Sequence, residues 1–244
     1  MMSDYDGNVD FWKRTKKKIQ SDYICRPQAL ELLGDVQGKR VIDIGCGDGY
    51  VSRLLAKRGA KVTAVDISEG LIQAAMEQEA KDAVGVEYRI GSALNLEFLA
   101  ENFFDCAVSV MVFGHFDHDD VYQSLRETHR VLKSGGTFVL AVPHPAMYIV
   151  RPRTKWVEFN NQHPLDYWDD EEKILLRTND SQEFPVDAKK NTIAGYLNGL
   201  ISCGFLIQEI SEPRASVADM KECPEMWGCE DKVPFYLIIK VIKK

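Results

Sequence analysis

Short apolar runs alternate with amphipathic stretches of helical length, and this rhythm constrains the fold more than any other feature of the chain. Val41-Ile42-Asp43-Ile44 reads as a strand, and 50–58 follows as a helix with Val51, Leu54 and Leu55 on one face, stopped by Gly59. The next strand is 62–65, after which Ser68 can cap a helix reaching 81. A third strand alternates over 86–90. The run 105–111 is almost continuously apolar, as expected of a strand buried on both faces. A helix over 119–132 ends at Lys133-Ser134-Gly135-Gly136, before a fifth strand at 137–142. Strands joined through helices of this length mean βαβ units and a parallel sheet. Upstream, Pro27 and Gly34 bracket a short helix. After Pro143 the rhythm breaks into a stretch rich in aromatics, Pro and Asp. It returns as a helix over 191–203 and strands over 205–210 and 235–242.

At 244 residues the chain fits one large α/β domain. We expect a single domain over 1–244, with an N-terminal helical cap at 1–36 and an inserted aromatic-rich lid at 146–190. Apolar residues at 45% and charged residues at 27% exclude a disordered or fibrous chain. No run of ~18 apolar residues is present, so no membrane span is expected. The net charge of −7 argues against a nucleic-acid partner. The basic run 13–18, which follows Phe11-Trp12, reads as a solvated helix face. The first ten residues hold no apolar leader, so the six cysteines read as reduced thiols and the protein as cytoplasmic. Cys223 and Cys229 have no recognised zinc spacing.

The chemistry is concentrated in Val41-Ile42-Asp43-Ile44-Gly45-Cys46-Gly47-Asp48-Gly49, a strand that ends in a glycine loop and opens a helix. Glycines there let the backbone approach a ligand closely. The dinucleotide pattern is G-x-G-x-x-G, whereas these glycines fall at 45, 47 and 49, with Tyr50 where the third would stand. Asp66, 21 residues past Gly45, ends the neighbouring strand, where a carboxylate can accept both hydroxyls of an adenosine ribose. Asp43 precedes the loop by two residues. It would repel a pyrophosphate and suits a cationic or amino-bearing ligand.

On these residues the chain resembles the class I S-adenosylmethionine-dependent methyltransferases. Their first motif looks like V-L-D-x-G-C-G-x-G, and their second-strand motif V-x-x-V-D-x-S is matched by Val62-Thr63-Ala64-Val65-Asp66-Ile67-Ser68. Phe104-Asp105, Arg130-Val131-Leu132-Lys133-Ser134-Gly135-Gly136 and the tail from Gly204-Phe205 to Ser211-Glu212-Pro213 continue the resemblance toward the UbiE-like small-molecule subgroup. It implies a Rossmann-like, seven-stranded, mostly parallel α/β sheet in the order 3-2-1-4-5-7-6, last strand antiparallel, with helices on both faces. It also implies S-adenosyl-L-methionine as cofactor, S-adenosyl-L-homocysteine as product and a small-molecule acceptor. Asp43, Gly45, Cys46 and Gly47 would lie along the methionine part, Asp66 and Ile67 at the ribose, and Ser92, Ala93 and Leu94 near adenine. The stretch from Val110 to Phe116 would line the methyl and acceptor side. Where the family reads G-D-A after the third strand, this chain has Gly91-Ser92-Ala93, so a hydroxyl or a backbone group must substitute for the carboxylate that holds the adenine amino group.

Candidate catalytic residues are His115, in the loop after the fourth strand, and His144, between two prolines after the fifth. Either could take a proton from an acceptor, and either could serve packing. His115, Asp117, His118, Asp119 and Asp120 look metal-like, but acidic residues at a helix start are explained by capping, and no metal is expected. Met147, Tyr148, Trp156, Phe159, Tyr167 and Trp168 suit a lid over a planar acceptor, and equally a satellite core or a dimer contact. Trp12, with Tyr5 and Phe11, is placed across the same pocket by the resemblance. Substrate contacts are therefore sought at Trp12, Tyr148, Trp156 and Trp168, in a monomer or homodimer. A nicotinamide oxidoreductase and a non-catalytic cofactor-binding partner protein are the alternatives. Val112-Phe113-Gly114-His115 lacks the Pro-Pro-Tyr/Phe element of nucleic-acid amino methylation.

Overall fold

The computed structural model describes residues 5–13, 16–150, 154–159, 171–222, 224 and 232–244. A short N-terminal segment comes first, with a 3-10 turn at Asp6–Asn8, then α1 (Val9–Trp12), α2 (Gln20–Tyr23) and α3 (Cys25–Leu33). The strand–helix repeat follows as β1 (Arg40–Ile44), α4 (Tyr50–Lys57), β2 (Lys61–Asp66), α5 (Glu69–Lys81) and β3 (Glu87–Ile90). It continues through β4 (Phe104–Val110), α6 (His118–Val131) and β5 (Leu132–Pro143). The insertion holds α7 (Pro145–Val150), β6 (Val157–Phe159), β7 (Glu171–Arg177) and β8 (Glu183–Lys189). Finally come α8 (Ile193–Ser202), β9 (Phe205–Ser211), α9 (Val217–Glu222) and β10 (Tyr236–Lys243).

The main sheet runs β3-β2-β1-β4-β5-β10-β9, so its seven strands stand in the expected order 3-2-1-4-5-7-6. β1 is parallel to β2 and β4, β4 is parallel to β5, and only β10 runs antiparallel to its neighbours. Side chains alternate between two cores, as the period-two pleat demands. Val41, Val108 and Val139 face α3, α4 and α5; Ile42, Ala107 and Leu140 face α6 and α8. After β3 the chain crosses back to β4 on the other side of β1. That reversal opens a crevice at the C-terminal ends of β1 and β4, where open α/β sheets bind ligands.

Three readings of the sequence change. The fifth strand starts at Leu132, not at residue 137. Phe104 faces Leu132 while Cys106 faces Thr137, so Lys133-Ser134-Gly135-Gly136 is absorbed into the strand as a bulge. The basic run is not a helix face: Lys16, Lys17 and Lys18 lie between α1 and α2. Lys17 Nζ reaches Glu222 at 3.0 Å and Asp219 at 3.4 Å, and Lys18 Nζ donates to Gln182 at 2.5 Å. The insertion is more ordered than its composition suggested, forming an antiparallel sheet β6-β7-β8 with Trp156, Phe159, Ile174 and Val186 buried. Tyr167, Trp168, Cys223 and Cys229 lie outside the described residues.

Candidate active site

A cavity of about 290 Å³ opens at the crevice. One half is built by the loops after β1, β2 and β3. Gly45 stands at φ +72°, and a Cβ there would collide with the Val112 side chain, so the loop folds only with glycine at this point. Its path is fixed by Gly45 N–H and Cys46 N–H, which donate to Val65 C=O at 2.7 and 3.0 Å. Asp66 ends β2 with one carboxylate oxygen accepting from Gly47 N–H at 2.7 Å and the other from Ser68 N–H at 2.9 Å. Each oxygen keeps a lone pair for a ligand hydroxyl. Burial raises the Asp66 carboxyl above its ordinary value of 3.8, against the opposing pull of these backbone donors. Asp43 is buried on the α4 side of β1 and accepts from Ser52 Oγ at 2.5 Å while bordering the cavity.

Cys46, Gly47, Ile67, Ser92, Ala93 and Leu94 also line this half. Ile67 is 55% exposed and forms an aliphatic rim. Ser92 Oγ accepts from Leu94 N–H at 3.2 Å, which leaves its own hydrogen to donate. The Cys46 thiol is held well above its ordinary value by burial and by the charges of Asp43, Asp66 and Asp48. It stays protonated, and a protonated thiol is a poor nucleophile toward an electrophilic methyl. A diol acceptor pair at Asp66, a buried carboxylate at Asp43 and an apolar slot between Ile67 and Leu94 match the ribose, ammonium and adenine of S-adenosylmethionine. The residues present fit that molecule.

The other half lies beyond the end of β4. Met111 takes φ +70°, a left-handed conformation that costs a methionine about 1–3 kcal/mol. Its N–H donates to Ala141 C=O at 2.8 Å, and the turn brings Val112 over Gly45. Val110, His115 and Phe116 line the wall beyond, with Phe116 C=O held by Asn191 Nδ2 at 2.8 Å. Trp12, Met147, Tyr148 and Trp156 line the same cavity, the inserted sheet contributing Ile174 and Val186. Tyr5 Oη lies 2.7 Å from His115 Nε2. At the deep end, Gln20 accepts from Tyr236 Oη at 2.9 Å, and buried Arg26 pairs with Asp22 at 3.0 Å and Ser21.

Most of the candidate site residues among the described residues therefore converge on one cavity, while Phe11, Phe159 and His144 do not line it. The turn into α7 carries the His144 ring away, 3% exposed, with Nδ1 accepting from Ala146 N–H at 3.0 Å and Nε2 at 2.8 Å from Glu212. A buried ring with a partner on each nitrogen ties the end of β5 to the half-exposed Glu212 just after β9. Asp117 is the N-cap of α6, accepting from Asp120 N–H at 2.9 Å. Gln20 and Arg26 also line the cavity and were missed, since nothing in the sequence marks them as site residues.

Residues 42–140 match the family model described as a methyltransferase domain. Over 123 residues the chain is 32% identical to a ubiquinone biosynthesis O-methyltransferase of Xanthomonas campestris pv. campestris, which is 50% of this chain and 48% of that protein. It thus spans about half the length of that curated relative. A protein of the same description from Alkalilimnicola ehrlichii is 26% identical over 175 residues, 66% of this chain and 68% of its own. An S-adenosylmethionine dependent methyltransferase from Mesorhizobium loti superposes with a TM-score of 0.69 at 25% identity, covering 89% of this chain and 96% of that one. The fold is that of a Rossmann-like α/β domain with a crevice at the C-terminal ends of β1 and β4. With the glycine loop and Asp66, these matches make the chain similar, over its strand–helix core, to S-adenosylmethionine-dependent methyltransferases. None of these relatives supports the nicotinamide alternative. Among the described residues no helix is long and apolar enough to cross a membrane.

Proposed function

We propose that this protein moves a methyl group from S-adenosylmethionine to a hydroxyl on a planar, largely apolar small molecule, with His115 as the proton acceptor. The observation that carries the reading is the placement of His115 on the wall of the cavity that the glycine loop, Asp66, Trp12, Tyr148 and Trp156 also line. The cofactor supplies a methyl on a cationic sulfur, a leaving group that needs no acid. The chain's own contribution is then to hold the acceptor oxygen in line and to receive its proton. Trp156, Tyr148 and Met147 are buried around the acceptor half, and they keep water from solvating the nucleophile. The insertion acts as a lid in this reading. Relatives described as O-methyltransferases support oxygen over nitrogen or carbon. The free thiols of Cys25, Cys46, Cys106 and Cys203 support a reducing, cytoplasmic setting.

The test is release of S-adenosylhomocysteine from S-adenosylmethionine with a panel of phenols, alcohols and amines of matched size. We expect turnover with a phenol, and a fall of roughly 10²-fold or more in His115→Ala with cofactor affinity intact. Turnover confined to amines, or a silent His115→Ala, would contradict the assignment.

A further inference from the structure

Tyr5 and its neighbours do more than wall the cavity. Tyr5 Oη approaches His115 Nε2 at 2.7 Å, and the two rings meet edge to face at 5.5 Å. The next residue is an anchor. Asp6 Oδ1 accepts from Gly70 N–H at 3.0 Å and from Ser68 Oγ at 2.5 Å. A Cβ on Gly70 would stand 2.7 Å from a Val9 methyl, so only glycine lets the strap 5–12 lie flat on the first turn of α5. Ser68 in turn gives its backbone N–H to Asp66. On the strap's other side Tyr5 stacks on Phe184 of β8 at 5.5 Å, and Trp12 meets the same ring edge-on at 5.1 Å. One short run of contacts therefore joins the ribose-binding acid to the methyl-side histidine: Asp66, Ser68, Asp6, Tyr5, His115.

We propose that the strap completes the active site: Asp6 is a positioning residue that latches it to the loop after β2, and Tyr5 is a catalytic residue that relays the acceptor's proton to His115. The proposal rests on the methyl-transfer reading above. A phenol donates and an imidazole nitrogen accepts, so Tyr5 donates to Nε2 and the neutral ring carries its proton on Nδ1. As an acceptor O–H bond breaks, its proton bonds to Tyr5 Oη while the proton of Tyr5 passes to Nε2. The electron pair left on the acceptor oxygen forms the new C–O bond, and the pair of the breaking C–S bond stays on sulfur. Tyr5 ends neutral, and the positive charge lost at sulfur reappears on the His115 imidazolium. Because the latch shares Ser68 with Asp66, strap docking and ribose binding each favour the other, as linkage requires.

The test uses the full chain with ¹⁵N-labelled histidine and S-adenosylhomocysteine as the probe. Wild-type protein shows His115 as the Nδ1–H tautomer with Nε2 accepting. Tyr5→Phe and Asp6→Ala both lose this signature, whereas Asp6→Asn retains it because its amide oxygen can still accept. Saturating S-adenosylhomocysteine slows amide exchange over 5–12 by about tenfold or more in wild type and by less than about twofold in Asp6→Ala. An Nε2–H tautomer in wild type, or a signature that survives Asp6→Ala, overturns the proposal. Binding of S-adenosylhomocysteine without slowed exchange overturns the coupling and leaves the cofactor reading standing. Failure of S-adenosylhomocysteine to bind overturns the cofactor reading and the coupling together.

Discussion

On the proposed reading, replacing Asp66 by alanine removes the group on which cofactor affinity depends most. In the folded protein its two oxygens already accept from Gly47 and Ser68, and the carboxylate borders the cavity. A ribose diol would engage both oxygens with charge-assisted hydrogen bonds. Losing the pair costs about 2–3 kcal/mol of affinity, roughly thirty- to more than a hundredfold in Kd. Stability falls as well, contrary to what an exposed strand tip would suggest. The Gly47 and Ser68 N–H groups lose their acceptor, at a cost of about 1–2 kcal/mol. Calorimetry with S-adenosylhomocysteine and a urea melt separate the two effects. Asp66→Asn should lose less affinity than alanine, because one oxygen survives.

The pH dependence of the same residue has two opposite signs. Burial lifts the folded-state value above 3.8. Asp66 therefore favours folding most below its unfolded value, and that contribution is lost as pH rises through the folded one. Binding runs the other way, since the ribose hydroxyls donate to the ionised form. Affinity should fall as pH drops through the raised value, beginning above the range of an ordinary aspartate, and this acid limb should vanish in Asp66→Ala. A Kd that stays within about twofold of wild type in Asp66→Ala would refute the reasoning, because a lost bidentate pair cannot cost so little.

Gly45→Ala must place a Cβ against Val112 from a left-handed backbone. It should lower the melting temperature and weaken S-adenosylhomocysteine by about tenfold or more, from at least ~1.4 kcal/mol of strain and displacement; an unchanged titration would show that the loop has room. His144→Ala removes a buried ring bonded to Ala146 and near Glu212 and should cost about 1–3 kcal/mol in urea unfolding with cofactor affinity intact. Weakened binding at unchanged stability would instead return it to the site. Lys243 Nζ donates to Asn102 Oδ1 at 2.8 Å and to the carbonyls of His129 and Leu132 at 2.7 Å. Lys243→Met should therefore destabilise by about 2–4 kcal/mol by stranding those acceptors, and a variant that melts like wild type would contradict the clamp.

The cofactor half was legible because its signals are local. A glycine loop after an apolar strand and a carboxylate at the next strand tip are fixed by backbone geometry, and Asp66 and Gly45 stand where their spacing placed them. Ser68 is the N-cap its position before an amphipathic run implied, accepting from Leu71 N–H at 3.1 Å. Features set by tertiary neighbours were not legible. Gly135-Gly136 reads as a turn, yet pairing with β4 draws it into β5. In β8 the pattern Glu-Phe-Pro-Val-Asp-Ala-Lys alternates cleanly, but Pro185 argues against a strand until β8 is seen as the edge of its small sheet. Asp6 carries no signal at all, because its partners Ser68 and Gly70 lie more than sixty residues away. Histidines in glycine- or proline-flanked loops after strands look alike on paper, and only the direction of the turn separates His115 from His144.

The central claim, a cofactor site built for S-adenosylmethionine and not for a dinucleotide, is tested most directly by titrating the protein in a calorimeter with S-adenosylhomocysteine and, separately, with NAD. The glycine spacing, Asp43 and Asp66 predict one molecule of S-adenosylhomocysteine per chain at micromolar Kd, about −8 kcal/mol, with NAD far weaker. NAD binding tighter than S-adenosylhomocysteine would contradict it.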